Sequence, residues 1–414
     1  MRIGISTSVI QRGRTGIAQY VFALLRTFEA QDSGHDFYLY VLEEDLPLFD
    51  FARGAMHLVP VAERFRSAVN NIAWHQAELP RLARRDALDV LHIPSYRRLL
   101  ATRPCAMVAT IHDLAPFQVP GKYDWKRMFY GRVIVKWLAR RQDAIIAISE
   151  NTARDIQHFF RVRSDRIRVI PNGLDHERFY PKDSARAGSE ILKRHGLVSP
   201  FFLYVARLEH PGKNHVRLIE AFERFKLATG SNWRLVLTGS DWHGAEKIHQ
   251  SIQNSAVASH IHALGFVPDA ELPELYRAAD GFVYPSLYEG FGMPPVEAMA
   301  CGCPVISSTR GALAEVVGSA AALVDPENVE SIAAQLRIVA TQPMERNRLI
   351  AAGLKQAARY AWERTAAATL DIYGRFARKA ARRAPVPVRR AHFDTATGVP
   401  DSSGRSSENR RAAG

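Results

Sequence analysis

The chain has 414 residues, of which 47% are apolar and 23% charged. That balance excludes wholesale disorder, collagen-like repeats and coiled coil, and the length predicts two or three domains with enough core to need no disulfide staples. The formal net charge of +13 is concentrated: residues 379–414 hold eight Lys/Arg against three Asp/Glu, and residues 81–141 hold thirteen against four. The second segment outweighs the rest of the folded part, which suggests an anionic surface or substrate nearby; the plainer alternative is a solvated face.

In chain order, residues 2–8 read as a strand, 11–16 as a loop with Gly13 and Gly16, and 17–28 as a helix with Tyr20, Val21, Leu24 and Leu25 on its apolar side. Strand, glycine loop and helix open a βαβ unit. Buried-strand runs follow at 37–42, 90–93, 107–111, 144–148 and 167–170, with helical stretches between several of them. This alternation predicts a parallel sheet covered by helices. A second series of strands is expected at 201–206, 234–237, 261–264, 281–284, 304–307 and 321–324, with helices at 216–228 and 329–341. The fold class is therefore α/β in two halves, 1–180 and 200–358, joined by a linker at 181–199 and followed by a last helix at 359–378. Residues 380–414, rich in Arg, Ala, Ser, Pro and Gly, are expected to form a disordered basic tail.

Within the basic segment, Trp125, Phe129, Val133 and Trp137 recur every four residues among Lys126, Arg127, Arg132, Lys136, Arg140 and Arg141. This is a basic amphipathic helix. In the plainer reading its stripe packs onto the core of the first half; in the other it rests on an anionic leaflet.

The cysteines Cys105, Cys301 and Cys303 are few and odd in number, which implies a reducing compartment. The first residues have no apolar stretch of signal-peptide length, and no run approaches the ~18 apolar residues of a membrane span. The expected location is cytoplasmic, with peripheral attachment to the inner face of the cytoplasmic membrane as the variant.

The most informative stretch is 284–302. An apolar strand ends at Tyr284, a turn holds Gly290 and Gly292, Pro294 and Pro295 sit where a helix begins, and Gly302 ends it. Unpaired N–H groups at a helix start attract phosphate oxygens, and the glycines let a ligand approach the backbone. Glu289 and Glu297 would repel phosphate; a carboxylate instead accepts hydrogen bonds from vicinal hydroxyls, so a sugar or ribose diol fits. The spacing is expected to place Glu289 at the strand end and Glu297 in the first helical turn, lining one cleft. Glu297 alone would be no more than a partner of the helix dipole. Cys301 with Cys303, and His260 with His262, are too few to make a metal site.

Glu289 to Glu297 resembles the E-x7-E element of retaining glycosyltransferases that use nucleotide sugars, family 4 of the GT-B architecture. The resemblance covers about residues 1–378. It implies two Rossmann-like domains with parallel sheets facing a central cleft, the first on the acceptor side and completed by the last helix, the second holding the donor. It implies that Arg207 and Lys213 grip the donor diphosphate, where a planar fork and a compact charge meet the growing charge of the leaving group. Their offset of six is one longer than in many members, and Pro211-Gly212 is expected to absorb the extra residue. His112 would reach the transferred sugar, and Asp113 would orient its loop or meet the acceptor. Phe266 and Val267 would edge the nucleobase.

The implied catalytic set is His112, Arg207, Lys213 and Glu289. The implied donor contacts add Gly16, Gly239, Phe266, Val267, Gly290, Phe291, Gly292, Met293, Pro294 and Glu297. Asn172-Gly173 reads as a structural turn and Ser149 as a helix cap. Neither a metal nor a cofactor is implied beyond the donor, since Asp-x-Asp does not occur. The implied function is retaining transfer of a hexose, mannose from GDP-mannose by preference over a UDP donor, to a hydroxyl of a glycan or lipid-linked oligosaccharide. The rivals are a sugar-nucleotide epimerase of the same architecture and a basic nucleic-acid-binding protein. The ordered donor motifs argue against the second, so no nucleic-acid partner is expected.

Overall fold

The computed structural model describes residues 1–381 apart from 14, 32, 120–127 and 182–184. Trp125, Lys126, Arg127 and the tail from 382 onward lie outside the described residues. The first sheet has strands β1 (Arg2–Ser6), β2 (Asp36–Leu42), β3 (His57–Val61), β4 (Val90–Ile93), β5 (Ala106–Ile111), β6 (Ala144–Ala147) and β7 (Ile167–Val169), in the order β3-β2-β1-β4-β5-β6-β7. The second has β8 (Phe201–Val205), β9 (Arg234–Thr238), β10 (Ile261–Gly265), β11 (Gly281–Tyr284), β12 (Val305–Ser308) and β13 (Ala322–Val324), in the order β10-β9-β8-β11-β12-β13. Every pairing is parallel, with Ile5 opposite Leu39 and His92 in the first sheet and Phe202 opposite Leu235 and Gly281 in the second.

Strands buried on both faces must be apolar throughout, and this is why the runs located them. The exception is β3, an edge strand interrupted by Pro60 and only partly buried, which the sequence reading missed. The first helix spans Gly16–Ala30 and is capped by Thr15, whose hydroxyl accepts the Ala18 N–H at 3.2 Å. It buries Ala18, Val21, Leu24, Leu25 and Phe28 on one face. Each of the larger side chains contributes roughly 1.5–3 kcal/mol by leaving water. The linker is not plain coil: it contains the helix Ala185–Arg194.

The last helix, Trp362–Ala381, returns to the first sheet, where Tyr373 reaches His92 Nδ1 at 2.6 Å. The two passes between the lobes are stitched together. Leu174 N–H donates to the Tyr360 carbonyl at 3.3 Å, and Thr365 donates to the Pro171 carbonyl at 2.8 Å. A Cβ on Gly173 would lie 2.4 Å from the Trp362 nitrogen, so this glycine is what lets the passes cross.

The basic amphipathic segment corrects the plainer expectation. Its π-helical turn Tyr130–Val135 runs into the helix Lys136–Ala139, and Gly131, Val135, Leu138 and Ala139 are the residues it buries. Phe129, Val133, Ile134 and Trp137 face outward, 58%, 47%, 41% and 51% exposed. Arg141 lies over the Trp137 ring at 4.8 Å. Among the described residues no helix is long and apolar enough to cross a membrane.

Candidate active site

The order of the second sheet reverses between β8 and β11, and the crevice beyond such a reversal is where open α/β sheets bind ligands. The loop after β8 carries Arg207 and Lys213; the loop after β11 carries Glu289. The two loops are sewn together: the Gly212 carbonyl accepts Leu287 N–H at 3.0 Å and the Ser286 hydroxyl at 3.1 Å. Lys213 Nζ donates to Glu289 Oε1 at 2.6 Å, with the two side chains 19% and 16% exposed. The same oxygen accepts from Ser286 at 2.7 Å and from Tyr284 at 3.0 Å. Burial pushes the Lys213 pKa down, but Glu289 together with Tyr204 and Glu209 outweighs it, and the net shift is upward. Lys213 is therefore a largely buried, charged ammonium.

Glu289 lies five residues past β11 rather than at its end, and Glu297 is the fifth residue of the helix Met293–Ala300, just past the expected first turn. The helix begins at Met293, so Pro294 and Pro295 occupy its second and third positions. They also delete two of the four N–H groups that a helix start normally offers, leaving those of Gly292 and Met293. Gly292 takes φ +101°, and a Cβ there would lie 2.4 Å from Leu313, so its place is fixed by packing. Gly302, at φ +77°, ends the helix as expected. Glu297 accepts from the Tyr276 hydroxyl at 2.8 Å. Burial raises its pKa to about 7, against the Tyr276 hydrogen bond and the charge of Arg178.

Arg207 is 53% exposed and stands 3.7 Å from the buried carboxylate of Glu209, with its guanidinium 4.6 Å above the Trp242 ring. Gly239 is explained by packing rather than by a ligand: a Cβ would sit 2.0 Å from the Ala206 carbonyl oxygen. At the end of β10, Phe266 is 69% exposed and Val267 buried. Phe291 is buried, with its ring edge-on to Tyr360 at 5.3 Å. Gly16 is the first residue of its helix, with open space where a side chain would be.

The first lobe meets this loop directly. A Cβ on Gly290 would lie 1.8 Å from the His112 carbonyl oxygen. The Gly290 carbonyl accepts the hydroxyls of Ser149 at 2.8 Å and Thr152 at 3.2 Å. Ser149 also caps its own helix by accepting Thr152 N–H at 3.0 Å, so it serves both roles. Glu315 of the second lobe accepts the N–H groups of Glu150 and Asn151 at 2.7 and 2.9 Å, and Tyr288 donates to Asp155. Asp113 turns its own loop by accepting Ala115 N–H at 3.0 Å. His112 packs edge-on against Tyr20 at 4.8 Å, and its Nε2 is buried without a protein partner. Burial lowers its pKa to about 4, outweighing Asp113 and the Pro94 carbonyl. The backbone of His112 thus meets the loop that carries Glu289, while its neutral imidazole packs on Tyr20. The sequence reading missed Trp242, Tyr276, Tyr284 and Ser286, because a single aromatic or hydroxyl carries no spacing signal.

Two family models match, "Glycosyltransferase Family 4" over residues 14–178 and "Glycosyl transferases group 1" over residues 190–356. The chain is 31% identical over 292 residues to O-antigen chain mannosyltransferase B of Escherichia coli, covering 70% of this chain and 76% of that one. It is 30% identical to an MMP α-(1→4)-mannosyltransferase of Mycolicibacterium hassiacum, covering 70% and 71%. In fold it is similar to Anabaena HepE in complex with UDP and glucose, with a TM-score of 0.71 at 18% identity over 91% of this chain and all of that one. It is also similar to WaaG, a glycosyltransferase of lipopolysaccharide biosynthesis, with a TM-score of 0.68 at 16% identity, covering 90% and 99%. Two parallel Rossmann-like sheets, matches to both halves and relatives over most of their length lead to one assignment: the chain belongs to the GT-B glycosyltransferases of family 4.

Proposed function

We propose that this glycosyltransferase moves mannose from GDP-mannose to a hydroxyl of a glycan or lipid-linked oligosaccharide, with retention and without a metal ion. The observation that carries the donor reading is the Lys213–Glu289 pair at the reversal of the second sheet. An ammonium already held there meets the diphosphate, while Glu289 is released to accept sugar hydroxyls. Arg207 adds the second cation, and the N–H groups of Gly292 and Met293 add uncharged donors. Glu297 accepts from the ribose diol. His112, neutral and with a free ring nitrogen, orients the transferred sugar. The departing phosphate oxygen takes the acceptor's proton on the same face, so no separate base is needed. Mannose is favoured by the names of the relatives. No observation favours the epimerase reading.

The test is nucleoside diphosphate release from GDP-mannose and UDP-glucose, with and without a glycan acceptor. Faster release from GDP-mannose that depends on acceptor supports the reading; preference for UDP-glucose or acceptor independence overturns it. Glu297→Ala should abolish turnover in a folded protein, and near-normal activity rejects its role. EDTA should leave the rate unchanged; its full loss overturns the metal-free claim.

We also propose an anionic membrane surface as the place of work. The outward stripe of Phe129, Val133 and Trp137 lies among Arg132, Lys136, Arg140 and Arg141, with no acidic residue between 128 and 141. Co-sedimentation with phosphatidylglycerol vesicles but not phosphatidylcholine vesicles, reduced by Trp137→Glu, is the expected result. Equal recovery on both lipids, or none, overturns it.

A further inference from the structure

We propose that Trp242 is a positioning residue for the donor diphosphate, acting by stacking on Arg207. The inference rests on the reading of Arg207 as a diphosphate ligand. Beyond β8 and β9 the chain keeps pairing: Leu208 N–H donates to Ser240, Trp242 N–H to Leu208, and His210 N–H to His243, each at 3.0 Å. Gly239 makes this possible, because any side chain there would strike the Ala206 carbonyl. The ribbon fixes Trp242 beside Arg207. Its ring is 56% exposed, so burial does not explain its position. One face of the ring carries the guanidinium at 4.6 Å, and the Glu209 carboxylate lies 3.7 Å from Nη2.

A long, half-exposed arginine would otherwise wander among rotamers. Ring and carboxylate together hold the fork in one place before a ligand arrives. Stacking on an indole leaves the in-plane N–H groups free to meet phosphate oxygens, which a second ion pair would not. As a diphosphate binds and water leaves, the stacking strengthens.

The experiment is a double-mutant cycle on the binding of GDP and UDP to the full chain, by calorimetry, with guanosine and uridine followed by NMR. Trp242→Ala should weaken the preferred diphosphate about five- to tenfold, in the range of a partly desolvated cation–π contact. Trp242→Phe should recover most of that loss. Arg207→Ala should weaken it at least as much as Trp242→Ala, and the double variant should be no worse than Arg207→Ala. Nucleoside binding should not change. Additive losses, or an equal loss for the nucleoside, overturn the inference while leaving Arg207 as a ligand. If Arg207→Ala leaves diphosphate binding intact, the reading of Arg207 falls and Trp242's role falls with it. Unchanged melting of Trp242→Ala, expected for an exposed ring, separates these outcomes from misfolding.

Discussion

Gly290→Ala isolates the contact between the lobes. Gly290 does not sit in the left-handed region, so alanine meets no torsional penalty there. The added methyl would lie 1.8 Å from the His112 carbonyl oxygen. An ordinary contact needs roughly 3.5 Å, so the lobes must part locally by about 1.5 Å. That separation breaks the bonds from Ser149 at 2.8 Å and Thr152 at 3.2 Å to the Gly290 carbonyl. At about 0.5–1.5 kcal/mol each, closure loses roughly 1–3 kcal/mol. With ~1.4 kcal/mol per factor of ten, kcat/KM for donor turnover should fall about five- to 150-fold. Binding of GDP or UDP by calorimetry should change less than about twofold, because Arg207 and Lys213 belong to the second lobe. Steady-state release of nucleoside diphosphate is the assay. A variant with wild-type kcat/KM would refute the reasoning, since turnover would then not need the lobes to meet at this point.

Gly173→Ala should lower stability by about 1–3 kcal/mol, read as an earlier denaturant midpoint, because its methyl meets the Trp362 backbone. An unchanged midpoint would mean that the crossing has slack. Stability should also fall as pH drops below about 6.5, the ordinary histidine value. Burial holds His75, His92 and His215 near pKa 3 and His112 near 4, from 6.5 unfolded. The unfolded chain therefore binds more protons between those values, and the stability these groups contribute is lost on acidification. Glu297, raised to about 7, acts with the opposite sign, losing its contribution as pH rises through 7. Denaturation midpoints at pH 7.5 and 5 test the balance, and a midpoint that rises at pH 5 would show that the four histidines do not dominate.

The halves of the fold were legible because parallel strands must be apolar on both faces. β3 was not, since Pro60 and an exposed edge break the run. The helix Ala185–Arg194 was hidden by its polar composition and Gly188. Periodicity found the Phe129–Trp137 stripe but could not say which side faced water; the tertiary packing of Val135 and Leu138 decided it. Within the site, Lys213 pairs with Glu289, a contact that neither motif encodes by its own spacing. Glu297 falls just past the first turn because the helix starts at Met293, one residue before the prolines. Partners from other elements, such as Tyr276 on the helix Leu272–Ala278 for Glu297 and Trp242 for Arg207, depend on sheet order, which no local pattern encodes.

Both connections between the lobes pass one point, where Leu174 meets Tyr360. Two separated tethers would resist twisting, whereas a single pin lets the mouth gape while each sheet stays whole. Stiffening that pin should trap spent nucleotide before it disturbs the bond-breaking step.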